Sequence, residues 1–422
     1  MKVMLLKLPS EGEPRDYITP TYFNIGTVKN IPHGLLAVAS GIKKHHEVVI
    51  FDAESKDFTI NQTIEEIDKR KPDVLGMTAS IGTAHSMGKI LRKVKCPKKV
   101  VGGPHATHYA KEILELGAHA VFVHDGDINF GEWLDNGCEP GIYTDYIKDL
   151  DSLPMPALEY LNLDDYAIKP EKSNEVLLKN KGLRFSMYSS KGCPFRCVFC
   201  DIQDKKFRLK SAKRIVDEIE MYLAINSKTI HMMDDCFNVK KSHVLGICEE
   251  INKRGLKFEW SARGRASIDY QTAVALKEAG CIRLHVGVET FDPIMLKYIN
   301  KNLTIEEIEN FFKICREVGM ETLAYFIAGF PGETKEYRKK LPQLIRDMGI
   351  DLPFFNVLFP FPHSEIYINF LKDGTFKTDF WKEYALNPVP YFEPPLYHPK
   401  ELHEEILETV EGYVREFYPD SN

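Results

Sequence analysis

Three cysteines fall within eight residues of the stretch SSKGCPFRCVFC, at Cys193, Cys197 and Cys200, in a chain of 422 residues that holds nine in all. Thiolates gathered this closely are soft metal ligands. A structural zinc ion closes its tetrahedron with four protein donors, commonly as two pairs. Here neither flank offers a fourth cysteine or a histidine, and Asp201 is the nearest, weak candidate. An iron–sulfur cubane on the same three thiolates keeps one iron open to bind and activate a further ligand. A zinc site and an inert redox cluster stand as the alternatives.

The other cysteines, Cys96, Cys138, Cys236, Cys248, Cys281 and Cys315, are scattered. An odd total without a pairing pattern argues for buried thiols in a reducing compartment, not a disulfide framework. Cys236 follows directly on the paired carboxylates Asp234 and Asp235. It could face the reacting centre or be a small buried hydrophobe. The two aspartates could orient a substrate or cap the next helix.

The elements that position these residues fall into two series. Over the first 135 residues, short β-branched runs alternate with helical patterns: KVMLLKL, EVVIFDA, DVLGMTA, KKVVGG and AVFVHDG are each followed by a helix. Five such repeats imply an open, doubly wound parallel sheet of Rossmann type covered on both faces. After the proline- and acid-rich stretch DLDSLPMPALEYLNLDDYAIKP a second series begins, LRFSMYSS, TIHMMDD, KFEWSAR, RLHVGVET, TLAYFIAGF and PFFNVLFPF. Six strands alternating with helices suggest a (β/α)6 partial TIM barrel with its chemistry at the strand carboxyl ends. The expected domains are 1–148, a linker over 149–180, the partial barrel over 181–365 and an extension over 366–422 ending in a short helical cap.

Composition is that of an ordinary globular chain, 44% hydrophobic, with net charge −6 and no extended basic run to track phosphates. No nucleic-acid partner is expected. The opening MKVMLLKLPS reads as a strand and not as a secretion signal, and no apolar run is long enough to span a bilayer, so no membrane role and a cytoplasmic location are expected.

The cysteine motif, with Phe199 before its last thiol, resembles that of the radical S-adenosylmethionine enzymes. The likeness runs from Leu183 to about Tyr367 through DDCF (Asp234 to Phe237), GVET (Gly287 to Thr290), INK (Ile299 to Lys301), GFPGET (Gly329 to Thr334) and FPFPHSEIY. It implies a [4Fe–4S] cluster on Cys193, Cys197 and Cys200 and S-adenosylmethionine on its open iron, cleaved to a 5′-deoxyadenosyl radical. It also implies ribose contact at Glu289, a cation for the carboxylate at Lys301, and further contacts at Ser261, Arg263 and Tyr325. A zwitterionic cofactor needs such a cation and such an acceptor. A flavodoxin- or ferredoxin-type electron donor belongs to the same expectation.

The first series resembles the cobalamin-binding domains that precede many such barrels, on the stretches PHGLLAVASGIKK and VVGGPHATHYAKEILELGAHAVFVHDGD. Gly102 and Gly103 match the double glycine that admits the cofactor's nucleotide tail, and Thr78 and Ser80 the small hydroxyl pair. The loop that carries a cobalt-ligating histidine elsewhere reads KLPSEG, with Pro9 in the histidine's place, and HDGD departs from the usual glycine–glutamate pattern. His33, His105 and His124 read as satisfied surface or helix-end histidines.

The resemblance implies a cobalamin-dependent enzyme that methylates an unactivated carbon of a small-molecule or peptide substrate. The rival enzymatic expectation is rearrangement, cyclisation or hydrogen abstraction without methyl transfer; the non-enzymatic one is an iron–sulfur or cobalamin sensor or carrier. Methylthiotransferases carry three cluster cysteines in their first domain, whereas this one has only Cys96 and Cys138.

Overall fold

The computed structural model describes residues 1–14, 29–168, 182–202, 204–227 and 229–419. The linker expected over 149–180 lies outside the described residues from position 169 on. The chain divides into two compact units. One comprises residues 1–14 and 29–166 together with Phe376–Pro395; the other comprises 167–375 and the chain after residue 395.

In the first unit β1 (Lys2–Lys7), β2 (Glu47–Asp52), β3 (Val74–Thr78), β4 (Lys98–Gly102), β5 (Ala120–His124) and β6 (Gly141–Asp145) form one sheet in the order β2-β1-β3-β4-β5-β6. Every neighbouring pair is parallel. Alternate residues feed two cores. Met4, Leu6, Leu75, Met77 and Val101 pack with Ile67, Met87 and Ile113, whereas Val3, Leu5, Val74 and Phe122 pack with Leu35, Ala39 and Trp133. Helices α1 (His33–Ile42) and α6 (Asn129–Asp135) therefore cover one face; α2 (Ile60–Arg70), α3 (Ala84–Lys93) and α5 (Ala110–Glu115) cover the other, and the short α4 (Pro104–His108) precedes α5. The strand order reverses between β1 and β3, the place where open parallel sheets receive ligands. Strand β6 is additional to the five repeats read from the sequence; it is an edge strand whose residues alternate between half-buried and exposed, so it lacks a continuous apolar run.

The second unit is built on β7 (Ala167–Ile168), β8 (Gly182–Met187), a ribbon of β9 (Ser190–Lys191) and β10 (Arg208–Leu209), then β11 (Thr229–Met232), β12 (Glu259–Arg265), β13 (Cys281–Glu289), β14 (Glu321–Ala328) and β15 (Leu352–Val357). Its main sheet runs β15-β14-β13-β12-β11-β8-β7. Six strands are parallel, the partial barrel; β7 adds an antiparallel edge on β8. Helices α7 (Ala212–Ala224), α8 (Lys241–Lys253), α9 (Tyr270–Glu278), α10 (Pro293–Tyr298), α11 (Ile305–Glu317), α12 (Lys335–Met348) and α13 (Glu365–Lys372) alternate with the strands. The apolar strand face meets helices: Phe185 stacks on Tyr222 of α7 at 4.5 Å. Alternation turns Arg184, His231, Ser261, Arg263, Arg265, His285, Gly287 and Tyr325 to the opposite, helix-free face.

Phe376–Pro395, with α14 (Phe380–Leu386), belongs to the first unit, where the Tyr391 N–H donates to the Gly12 carbonyl at 3.0 Å and a His85 ring nitrogen lies 3.0 Å from the Pro388 carbonyl. The terminal α15 (Lys400–Phe417) returns to the second, and the Tyr418 hydroxyl donates to the Pro353 carbonyl at 2.8 Å. No helix among the described residues is long and apolar enough to cross a membrane. Trp381 is fully buried against Phe380 and Phe392. Trp381→Ala should lower stability by about 3–5 kcal/mol in urea titrations, whereas Ile294→Ser, at a side chain 79% exposed, should leave the midpoint unchanged.

Candidate active site

The cysteines lie on the loop that joins β9 to β10, so strand pairing closes the loop at its base through Lys191–Arg208 and Ser190–Leu209. Beyond that base, hydrogen bonds within the loop and from the INK segment set its path. The Cys193 N–H donates to the Asp204 carbonyl at 3.0 Å, the Val198 N–H to the Ile299 carbonyl at 3.1 Å, and the Cys200 N–H to the Cys197 carbonyl at 3.1 Å. Asn300 Nδ2 donates to the Arg196 carbonyl at 2.8 Å. The INK segment thus docks the loop. Cys193 is buried, Cys197 and Cys200 are half-buried, and Phe199 lies 5.8 Å from Phe330, the aromatic of GFPGET.

Burial pushes the Cys193 thiol up, and that of Cys200 to about 12. Both are therefore thiols until a metal displaces their protons. Among the described residues no three His, Cys, Asp or Glu side chains stand at the spacing of one bound ion. The donor set, three soft thiols on one clamped loop, fits an iron–sulfur cluster by its chemistry.

Asp234, fully enclosed, accepts from the Ser189 N–H at 3.1 Å, the Ser189 hydroxyl at 2.8 Å and the Ser190 hydroxyl. Asp235 accepts from the Gly192 N–H at 3.1 Å. Both carboxylates hold the root of the cysteine loop, and burial raises the pKa of each. Neither one caps α8, whose N-cap is Lys240. Cys236 is buried with its thiol pushed to about 12, by burial first and then by Cys193; its sulfur lies 3.6 Å from Asn238 Oδ1.

Two residues that the sequence reading did not single out join these parts. Asn238 accepts from the Arg265 N–H at 2.8 Å and donates to the Arg265 and Ser267 carbonyls at 3.0 and 2.8 Å. The Arg265 guanidinium stands 3.9 Å over the Phe195 ring, inside the cysteine loop, and donates to the carbonyls of Lys301 and Asn302. The period-two pattern of SARGR, which sets Ser261, Arg263 and Arg265 on one face, was the available signal.

Glu289 and Lys301 form a buried ion pair at 2.8 Å. Glu289 ends β13 at φ +69, where the β13–β14 register shifts. Gly287 leaves room for the pair: a Cβ there would stand 2.2 Å from Glu289 Oε1 and 2.8 Å from Lys301 Nζ. The other expected contacts have protein partners on the helix-free face. The Ser261 hydroxyl is 2.6 Å from His231 Nδ1, the Tyr325 hydroxyl 3.4 Å from His285 Nδ1, and Arg263 Nη2 3.2 Å from Met233 Sδ.

In the first unit, Thr78 and Gly102 are register partners at the ends of β3 and β4. Gly103, at φ +94, tolerates no side chain: a Cβ would lie 2.7 Å from Thr78 Oγ1 and 2.8 Å from the Ala79 carbonyl. Its bareness serves the β3–β4 corner itself, whereas a Cβ at Gly102 would meet only ordinary contacts near 3.8 Å. Ser80 is exposed and its N–H donates to Thr83 at 3.0 Å. Pro9 offers only its carbonyl, which accepts from Ser86 at 2.7 Å, and proline has no metal-ligating side chain. His105 is not the satisfied surface histidine expected: it is buried with both ring nitrogens unpartnered, and burial lowers its pKa to about 3. His124 bonds the Tyr146 hydroxyl at 2.7 Å. Corner, hydroxyls and open Gly102 fit a nucleotide tail laid along strand ends.

The chain carries a radical S-adenosylmethionine domain preceded by a B12-binding domain. The model of the Radical SAM superfamily matches residues 187–345 and that of the B12 binding domain residues 25–132. The chain is 28% identical to an uncharacterized methyltransferase of Pyrococcus horikoshii, over 92% of this chain and 87% of that one. It is 25% identical to the anaerobic magnesium-protoporphyrin IX monomethyl ester cyclase of Rubrivivax gelatinosus, over 88% and 72%. Its fold matches that of the radical S-adenosylmethionine methyltransferase TsrM from Kitasatospora setae, solved with cobalamin and a [4Fe–4S] cluster, at TM-score 0.65 and 18% identity over 88% of this chain and 78% of that one.

Asp234→Ala should strip three acceptor contacts from the loop root and weaken cluster retention about tenfold, read as iron and sulfide per chain after anaerobic desalting. A pH effect follows from the histidines. Burial holds His231 and His285 well below the ordinary 6.5, and His243 at about 4. The unfolded chain takes up these protons near pH 6.5 while the fold refuses them, so their stabilisation is present above 6.5 and lost below it. Unfolding free energies from urea titrations should fall between pH 7.5 and 5.5 by about 1 kcal/mol per histidine, and His231→Gln with His285→Gln should remove those two contributions while the fall due to His243 and His105 remains.

Proposed function

We propose that the protein methylates an unactivated carbon of a small-molecule substrate, with the cluster on Cys193, Cys197 and Cys200, S-adenosylmethionine held by Glu289 and Lys301, and cobalamin on the first unit at Thr78, Ser80, Gly102 and Gly103. The observation that carries this reading is the clamp at Arg265, which ties the three-thiol loop to the backbone of Lys301 and so couples the metal site to the buried ion pair. When bound, the cofactors supply hydrogen-atom abstraction from a C–H bond and a transferable methyl group.

The chain's own residues bind and orient. Lys301 neutralises a carboxylate and Glu289 accepts from hydroxyls, so cofactor entry exchanges their mutual bond for two charge-assisted contacts. Asp234 and Asp235 act as positioning residues for the loop. Phe199 packs against Phe330 beside the last cysteine. Ser261, Arg263 and Tyr325 line the helix-free face, and Cys236 stays a neutral thiol near Cys193. The half-buried Cys197 and Cys200 leave an approach for a flavodoxin- or ferredoxin-type electron donor.

Cyclisation without methyl transfer is the second reading, favoured by the match to the Rubrivivax cyclase over 88% of the chain. Anaerobically reconstituted protein with reductant, cobalamin and methyl-deuterated S-adenosylmethionine separates the two. Release of 5′-deoxyadenosine with a deuterated methyl in a product supports methylation; release with an unlabelled product supports cyclisation; no release rejects both. Glu289→Gln should raise the S-adenosylmethionine requirement at least about tenfold, and Cys197→Ala should abolish release.

A further inference from the structure

The helix-free face of the second unit carries more positive charge than its acids balance. Arg184 on β8, Arg263 on β12 and Arg283 on β13 all act electrostatically on the same two histidines, His231 and His285. Of the carboxylates near them, Glu321 pairs with Arg283 and Glu289 with Lys301, while Asp235, which Arg263 acts on, accepts from the Gly192 N–H. Arg184 and Arg263 make no ion pair among the described residues. The rings of His231 and His285 lie 4.6 Å apart. Each spends Nδ1 on a hydroxyl, and His285 Nε2 is enclosed with no hydrogen-bond partner.

Register shows how the group assembles. His231 pairs with Ser186 and Ser261, and Arg263 pairs with His285, while Arg184 sits two residues before Ser186 on the same face. Cations thus flank the histidine pair on neighbouring strands, with Arg184 toward the strand amino ends, away from Glu289 and Lys301 at the other end. Unpaired guanidinium and an orphaned ring nitrogen in a partly dry interior are costly unless a ligand satisfies them. Burial and the neighbouring Arg283 both press the Arg184 guanidinium toward losing its charge. An incoming oxyanion relieves both, since it accepts from guanidinium forks and from imidazole N–H groups alike.

We propose that this face receives an oxyanion of the substrate, a carboxylate or a phosphate, between Arg184, Arg263 and the His231–His285 pair. The inference rests on the radical-enzyme reading for the word substrate, though the anion site itself does not. It sets the substrate class as acidic and orients the molecule, with its charged end among the strands and its reacting carbon toward the strand carboxyl ends.

The test is the melting temperature of the reconstituted protein in sodium phosphate, sodium acetate or sodium chloride at one ionic strength, with and without saturating S-adenosylmethionine. Phosphate, acetate or both should raise the midpoint by a few degrees over chloride. A phosphate-only rise identifies a phosphorylated substrate, an acetate-only rise a carboxylate. The rise should disappear in Arg184→Gln and in Arg263→Gln, persist in Arg184→Lys, and persist in Arg346→Gln on the exposed surface. Three results overturn the proposal: equal midpoints in all three salts, a rise that survives Arg184→Gln, or a rise that S-adenosylmethionine abolishes, which would make the anion site the cofactor's own. Release of 5′-deoxyadenosine by the unaltered protein is scored separately. Its absence removes the radical reading and leaves an anion-dependent rise intact, while its presence with no rise removes only the anion site.

Discussion

A buried carboxylate that makes no ion pair among the described residues fixes the geometry of the cysteine loop. Asp234 is fully enclosed and is held by three donors from Ser189 and Ser190. Removing such a group from water costs several kcal/mol unless its oxygens are bonded, so those two serines can occupy few positions other than the ones they have. They lead directly into the cysteine loop. Its root is therefore set by a desolvation constraint on a neighbouring strand end, and the loop's own sequence need only supply the thiols. Arg265 applies the same logic from the other side, placing its charge against the Phe195 face and two carbonyls where water would otherwise solvate it.

The partial barrel separates its two faces by chemistry. Helices cover the face of Phe185, Trp260, Phe326 and Phe355, which pays most of the folding cost through apolar burial. The other face is thereby free to carry arginines, histidines and hydroxyls in hydrogen-bonded pairs. This division is why the same strands can be stable and reactive: residue i belongs to the core and residue i+1 to the site.

Much of this was legible. Three thiols without a fourth, strand and helix alternation in two series, and a parallel sheet covered on both faces all follow from spacing and period. The family resemblance, not spacing, singled out GVET and INK; GVET ends β13, and INK follows α10 in the loop that docks the cysteines. Edge strands β6 and β7 were not legible, since an edge residue need not be apolar to pair. The return of Phe376–Pro395 to the first unit had no signal either: its aromatics bury like any others, and nothing in their order says against which sheet. Asn238 and Arg265 were missed because their roles are backbone contacts across 27 to 37 positions of sequence, which composition does not reveal. His231 and His285 were passed over because a lone histidine in an apolar strand is usually inert, and only register makes them a pair.

The Glu289–Lys301 pair is costly twice. A buried ion pair returns little net stability once both charges have lost their water, and Glu289 adds a left-handed backbone at φ +69 in a residue that is not glycine. Gly287 must also stay bare to admit the carboxylate. A fold selected for stability alone would fill this corner with aliphatic side chains at lower cost. The arrangement makes physical sense if the two charges are kept for partners that come and go: the bulge turns the carboxylate inward, the pair neutralises itself while it waits, and Arg265 holds the lysine's backbone in register with the cysteine loop.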